Sequence, residues 1–351
     1  MPARDRDPAR TGEPGRPAAA RTPAARRSGG SRAGATAPST SGPDQLVVGA
    51  VPVLARICGV LLLLAGLAGA AAVFPTYLVV GGIAVTPVQG ALDAVVSLVA
   101  PVASIAVGAG LALGRVPRLG LAYAAVTGAL AVGRLLIELH RGQGSTTRPA
   151  VEVLAGELVL TSSVETATGW VLGVLALSLA VLAGLTAFAA WSRTVMEDGG
   201  ALDPLRPVLA GSAALLGVAA VMALALPAAD VPDRVVTDPL TGLEVVVDQE
   251  GPQALLERPG LALLGGLLLA GALVLSAVVA PSLRPRLAAV GGLLAVAVFL
   301  LDSALTGLRD AWSSPDLEWT VPGAGLLVLA LGAVGLTLLA WRWRRGSPAR
   351  G

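Results

Sequence analysis

The chain has 351 residues, of which 54% are hydrophobic and 14% charged, with a formal net charge of +2. A soluble domain carries roughly 25% charged residues, and at a mean hydropathy of +0.76 this chain has too little polar surface to face water, so a lipid bilayer is its main solvent. One cysteine, Cys58, and one histidine, His140, exclude a disulfide framework and leave no ligand set for zinc, haem or another metal, so no metal and no cofactor are expected.

All 25 basic residues are arginine. The accompanying Ala, Gly and Pro bias is that of a GC-rich coding sequence, so the arginines do not indicate a nucleic-acid partner. Residues 1–44 carry eight Arg and seven Pro with scarcely a large apolar side chain. Such a segment cannot bury a core and is expected to be a disordered, basic cytoplasmic tail.

Eight apolar segments follow, each near the ~20 residues a bilayer requires: about 51–74, 91–113, 118–138, 168–191, 207–227, 260–281, 286–305 and 321–341. Arginines fall in alternate connections (Arg115 and Arg118, Arg193 and Arg206, Arg284 and Arg286) and in the final "RWRRGSPARG", whereas the 228–259 loop is acidic. That asymmetry places both termini in the cytoplasm of a bacterium, with the chain in its inner, plasma membrane. All six tryptophans sit at span boundaries, where an indole finds both an apolar and a polar neighbour.

The remaining loops read as strands. "YLVVGGIAV" (77–85), "VEVLAGELVL" (151–160) and "RVVTDPLTGLEVVVD" (234–248) are each two β-rich runs around a turn signal. The expected fold is therefore an all-α membrane protein of eight transmembrane helices, with short β-hairpins in the extracytoplasmic loops. "VPRLGLAYAAVTGALAVGRLL" (116–136) aligns on "RPRLAAVGGLLAVAVFLLDSA" (284–304) when Pro117 is matched to Pro285. The order of loop types repeats as well. We expect two parallel four-helix repeats, 45–192 and 204–345, joined by a cytoplasmic linker 193–203 and closed by a tail 346–351. A four-helix unit with a β-structured first outer loop resembles, in topology alone, the claudin-type tetraspan proteins. None of that family's motif residues occurs here, and the resemblance assigns no function.

Polar residues in the spans are ordered. Tyr123, Thr127, Arg134 and Glu138 of the third span follow steps of 4, 7 and 4, one stripe of a helix. Asp93, Ser97, Ser104 and Gly108 of the second span follow the same steps. Charges inside a span usually point inward. Counted from Pro117 and Pro285, Arg134 and Asp302 stand at equal depth, so Asp302 is the first expected partner of Arg134, Asp93 the second and Glu138 a local competitor, the four expected to form one shared charge cluster. Glycine pairs at helical spacing, Gly110 with Gly114 and Gly169 with Gly173, suggest close helix packing. No phosphate loop, nucleotide fingerprint or metalloprotease helix is present. The leading expectation is a non-enzymatic scaffold or accessory subunit that contacts a membrane or extracytoplasmic protein partner. The alternative is a small-solute or lipid transporter that uses the polar stripe of Ser97, Ser104, Tyr123 and Thr127. A membrane-embedded transferase working through Asp93 or Asp302 is a third option.

Overall fold

The structure is a computed structural model that describes residues 47–343 except 81, 144–150, 155–156, 161–163, 198–201, 232–233, 238–243, 248–252 and 314–316. The expected tails, 1–44 and 346–351, lie outside the described residues, as does part of the 193–203 linker. Among the described residues, eight helices are long and apolar enough to cross a membrane: α1 (Val53–Ala72), α2 (Ala91–Ala112), α3 (Pro117–Arg141), α4 (Thr168–Trp191), α5 (Arg206–Leu224), α6 (Leu261–Val279), α7 (Arg286–Ser313) and α8 (Val321–Arg342). The chain is thus a mostly helical, multi-pass membrane protein. In hydrocarbon each backbone N–H must find its acceptor within the chain, which leaves the helix as the economical choice for these Leu-, Ala- and Val-rich runs. Proline sets several starts, at Pro52 before α1, at Pro117 in α3 and at Pro322 in α8. Gly114 ends α2 with φ +70°, a conformation open to glycine at little cost.

α3 and α7 form the centre: 61% and 72% of their apolar windows are buried, against 17% for α2. In the first half α1 packs on α2 and α4, and α4 on α3, while α2 and α3 touch lightly. In the second half α5 packs on α6 and α8, and α8 on α7, while α6 and α7 touch lightly. Between the halves α3 lies against α6 and α7, and α2 against α7.

Close approach rests on particular glycines. A Cβ on Gly133 of α3 would stand 2.5 Å from the Gly265 oxygen of α6, and one on Gly265 would stand 2.7 Å from the Gly133 oxygen. Gly59 and Gly108 join α1 to α2 in the same way, and Gly128 and Gly184 join α3 to α4. These pairs replace one suggested by spacing: Gly110 has only a Val116 methyl within 4 Å, and Gly114 lies beyond the helix. Gly169 does make a close approach, to the Thr76 oxygen at 2.9 Å.

Short strands occupy the loops. β1 (Val47–Val48) pairs antiparallel with β7 (Met196–Glu197). β2 (Leu78–Val80) is the middle strand of three, with β3 (Ile83–Val85) and β6 (Val164–Thr166), so that Leu78 faces Val85 and Thr166. β4 (Val151–Leu154) pairs with β5 (Glu157–Leu160), and β9 (Arg234–Thr237) with β10 (Glu244–Val247). β8 (Ala229–Asp230) pairs with β11 (Glu318–Trp319). The hairpins fall on the three alternating runs of the sequence. The β2–β6 and β8–β11 pairs each tie two loops together at one end of the bundle; β1–β7 lies at the other.

One helix is longer than its hydropathy indicates. α7 continues through Ser313, eight residues past the expected end at 305. Its last two turns, "TGLRDAWS", are too polar to read as membrane. They stay helical because Arg309 and Asp310 turn inward rather than to solvent: Arg309 donates to Ser97 of α2 at 3.2 Å and to Asp310 at 2.7 Å.

Candidate functional site

The inward faces of α3 and α7 meet a cavity of about 670 Å³, also walled by α1, α2, α4 and the 223–229 and 253–258 segments. This lies within the ~300–1,000 Å³ typical of small-molecule sites. Ser97, Ser104, Tyr123, Thr127, Arg134, Glu138 and Asp302 all line it. The whole α3 stripe and the Ser97 and Ser104 part of the α2 stripe therefore face one space, whereas Gly108 packs on α1 and Asp93 does not reach the cavity.

At its centre Arg134 of α3 donates Nη2–H to Asp302 Oδ2 of α7 at 2.7 Å and to Ser303 Oγ at 3.4 Å. The guanidinium lies over the Phe299 ring, with Cζ 4.6 Å from its centroid. Stacking and pairing together compensate a cation held where water is scarce. The side chains of Arg134 and Asp302 keep 32% and 16% of their exposure, so the pair sits on the wall of the cavity rather than in a dry core.

The other two acidic candidates are engaged elsewhere. Asp93 turns back onto its own helix start, where Oδ2 accepts from the backbone N–H groups of Gln89 at 3.0 Å and Gly90 at 2.9 Å. An acidic side chain there offsets the unpaired N–H groups of the first turn. Glu138 accepts from Arg141 at 2.8 Å and from the Tyr77 hydroxyl. Burial, reinforced by the Glu138 carboxylate, holds the Tyr77 phenol protonated well above its usual range. Glu138 is thus the peg on which the loop before β2 hangs. Its backbone oxygen also accepts from Trp170 Nε1 at 2.9 Å, an approach that Gly142 leaves room for, since a Cβ there would be 2.5 Å from the indole.

Deeper in the cavity the Ser104 and Tyr123 hydroxyls are 3.4 Å apart, linking α2 to α3, and Thr127 lines the same wall. Sequence reasoning missed Ser303, Thr306, Arg309 and Asp310 on α7, Tyr77 in the loop before β2 and Trp170 at the start of α4. The α7 residues carried a readable signal: Asp302, Thr306 and Asp310 are spaced by four, as on α2 and α3. Tyr77 had none, because its place depends on how a loop folds back.

The wall combines hydrogen-bond donors, acceptors and small apolar residues, which is a binding chemistry. Among the described residues, no group of three His, Cys, Asp or Glu side chains could hold a metal ion. Compared with protein-family models, curated proteins and solved structures, the chain matches none.

Proposed function

We propose that this is a non-enzymatic membrane transporter that takes a small solute or lipid into the cavity along α3 and α7. The cavity itself carries the reading: a space of about 670 Å³ with paired charges on its wall is costly in a membrane protein unless something occupies it. The test is extraction of the full chain in mild detergent, followed by native mass spectrometry. A retained small molecule, lost in Ser104→Ala/Thr127→Ala while thermal melting is unchanged, supports transport. An adduct-free protein held to an obligate protein partner overturns it.

The scaffold reading keeps one observation. β3 stands at the edge of its sheet and exposes Ile83 and Ala84, an apolar strand edge that a protein partner could extend.

We further propose that the eight helices are two parallel four-helix repeats, 45–192 and 204–345. The supporting observations are the order of neighbours and the loop pairings. Helices one, two and four of each half pack alike, the second and third touch lightly in both, and β2–β6 has its counterpart in β8–β11. The arginines at the β1–β7 end support both termini facing the cytoplasm of a bacterial inner membrane.

A further inference from the structure

We propose that the cavity receives a single-chain amphiphile with an anionic head group, the head on Arg134 and the chain between α1, α2 and α4. The inference rests on the cavity being a binding site and narrows what it binds.

Three observations converge. First, Arg134 is only half used. Nη2 serves Asp302 and Ser303, and one face covers Phe299, whereas Nε and Nη1 have no protein partner among the described residues. Those donors belong to a cation that cannot lose its proton, and a carboxylate or phosphate satisfies them best.

Second, the space beyond the charges is lined by small apolar groups: Ala65, Gly69, Ala100, Pro101, Ala176 and Ala180. A Cβ placed on Gly69 would meet Pro101 Cγ at 3.5 Å and Ala176 Cβ at 3.8 Å. Small groups from three helices therefore line this part of the cavity.

Third, the depth fits. Arg134 and Tyr123 both line the cavity and are eleven residues apart on α3, about 16 Å along the axis. That is about half of a ~30 Å hydrocarbon core. A head at Arg134 would lie near one membrane surface while its chain reached inward to the Ser104–Tyr123 pair.

The experiment uses the purified full chain in nanodiscs and a sixteen-carbon fatty acid with a photoreactive diazirine in its chain. Competitors are palmitate, hexadecyl phosphate, hexadecanol and acetate. We expect crosslinks to α1, α2 and α4, competition by palmitate or hexadecyl phosphate, and about tenfold or greater weakness of hexadecanol and acetate. The stronger of the first two identifies the head as carboxylate or phosphate. Arg134→Lys keeps the charge opposite Asp302 but loses the extra donors, and Gly69→Leu sets a larger side chain against Pro101 and Ala176. Each should lower labelling about tenfold, with melting temperature as the check on folding. If Arg134→Lys fails to fold, the competitor series on the unaltered protein and Gly69→Leu decide the matter. Acetate competing as well as palmitate, with Gly69→Leu labelled normally, would overturn the amphiphile in favour of a small anion. Hexadecanol equal to palmitate, with Arg134→Lys unaffected, would overturn the head-group assignment. Absence of cavity crosslinks would overturn the amphiphile outright, while a different small molecule retained in native mass spectrometry would leave the transport reading standing.

Discussion

Arg134 and Asp302 come from helices 168 positions apart in sequence, yet their charged atoms stand 2.7 Å apart. Neither could remain alone at that depth without cost, roughly 1–3 kcal/mol even with the long side chain reaching for the interface. Arg134→Ala and Asp302→Ala should each lower stability by about that amount, and the double variant should cost at least ~1 kcal/mol less than the sum. Strict additivity in a thermal or denaturant series would mean that the two contribute separately. This partnership was legible in the sequence because a proline stands at or just before the start of both helices and the bilayer converts residue count into depth. The rival partners were not separable by that argument. Asp93 and Glu138 have the right depth and sign, but their carboxylates are claimed by the Gln89 and Gly90 amides and by Tyr77 and Arg141. Such claims depend on where a loop folds back, which helical periodicity does not encode.

Helix against helix, the glycine contacts decide how tightly the bundle closes. Gly265→Leu forces a side chain into the Gly133 backbone, so α6 must part from α3 at a cost of about 1–3 kcal/mol. Gly271→Leu on the same helix meets nothing within 4 Å and should leave the melting temperature unchanged or slightly raised, since leucine is the better helix former. Equal effects of the two would mean that α3 and α6 do not cross at Gly133. The spans themselves were plain in the sequence, because hydrocarbon demands uninterrupted apolar helix. The crossing glycines were not: among 44 glycines spacing alone picks out pairs such as Gly110 and Gly114, while the true contact depends on which face meets a neighbour. The β2–β3 turn is a local feature and was readable. Gly82 has φ +84° with open space around it, so Gly82→Val should cost about 1 kcal/mol or more through backbone strain alone. Faster proteolysis at the hairpin would register it; unchanged resistance would point to a different turn.

For the molecule as a whole, sidedness is the first property to test. Cys58 is fully buried, so single cysteines can be introduced on a silent background. Ser192 after α4 and Gln89 before α2 are both exposed and stand at opposite ends of the bundle. Ser192→Cys should react with a membrane-impermeant maleimide only after cells are opened, and Gln89→Cys before. Reaction of both from one side would break the eight-span arrangement. The two-strand pairing of β1 with β7 has a consequence at this scale too. It sets Val47 opposite Glu197 and Val48 opposite Met196, so the polypeptide enters and leaves its first four helices at the same spot. That half is in effect a closed loop of chain, its two ends clasped to each other, with Met196 also packed into a core shared with the second half. A gene divided between Glu197 and Leu202 would yield two polypeptides, the first already fastened at both ends, free to find the second as a separate partner in the bilayer.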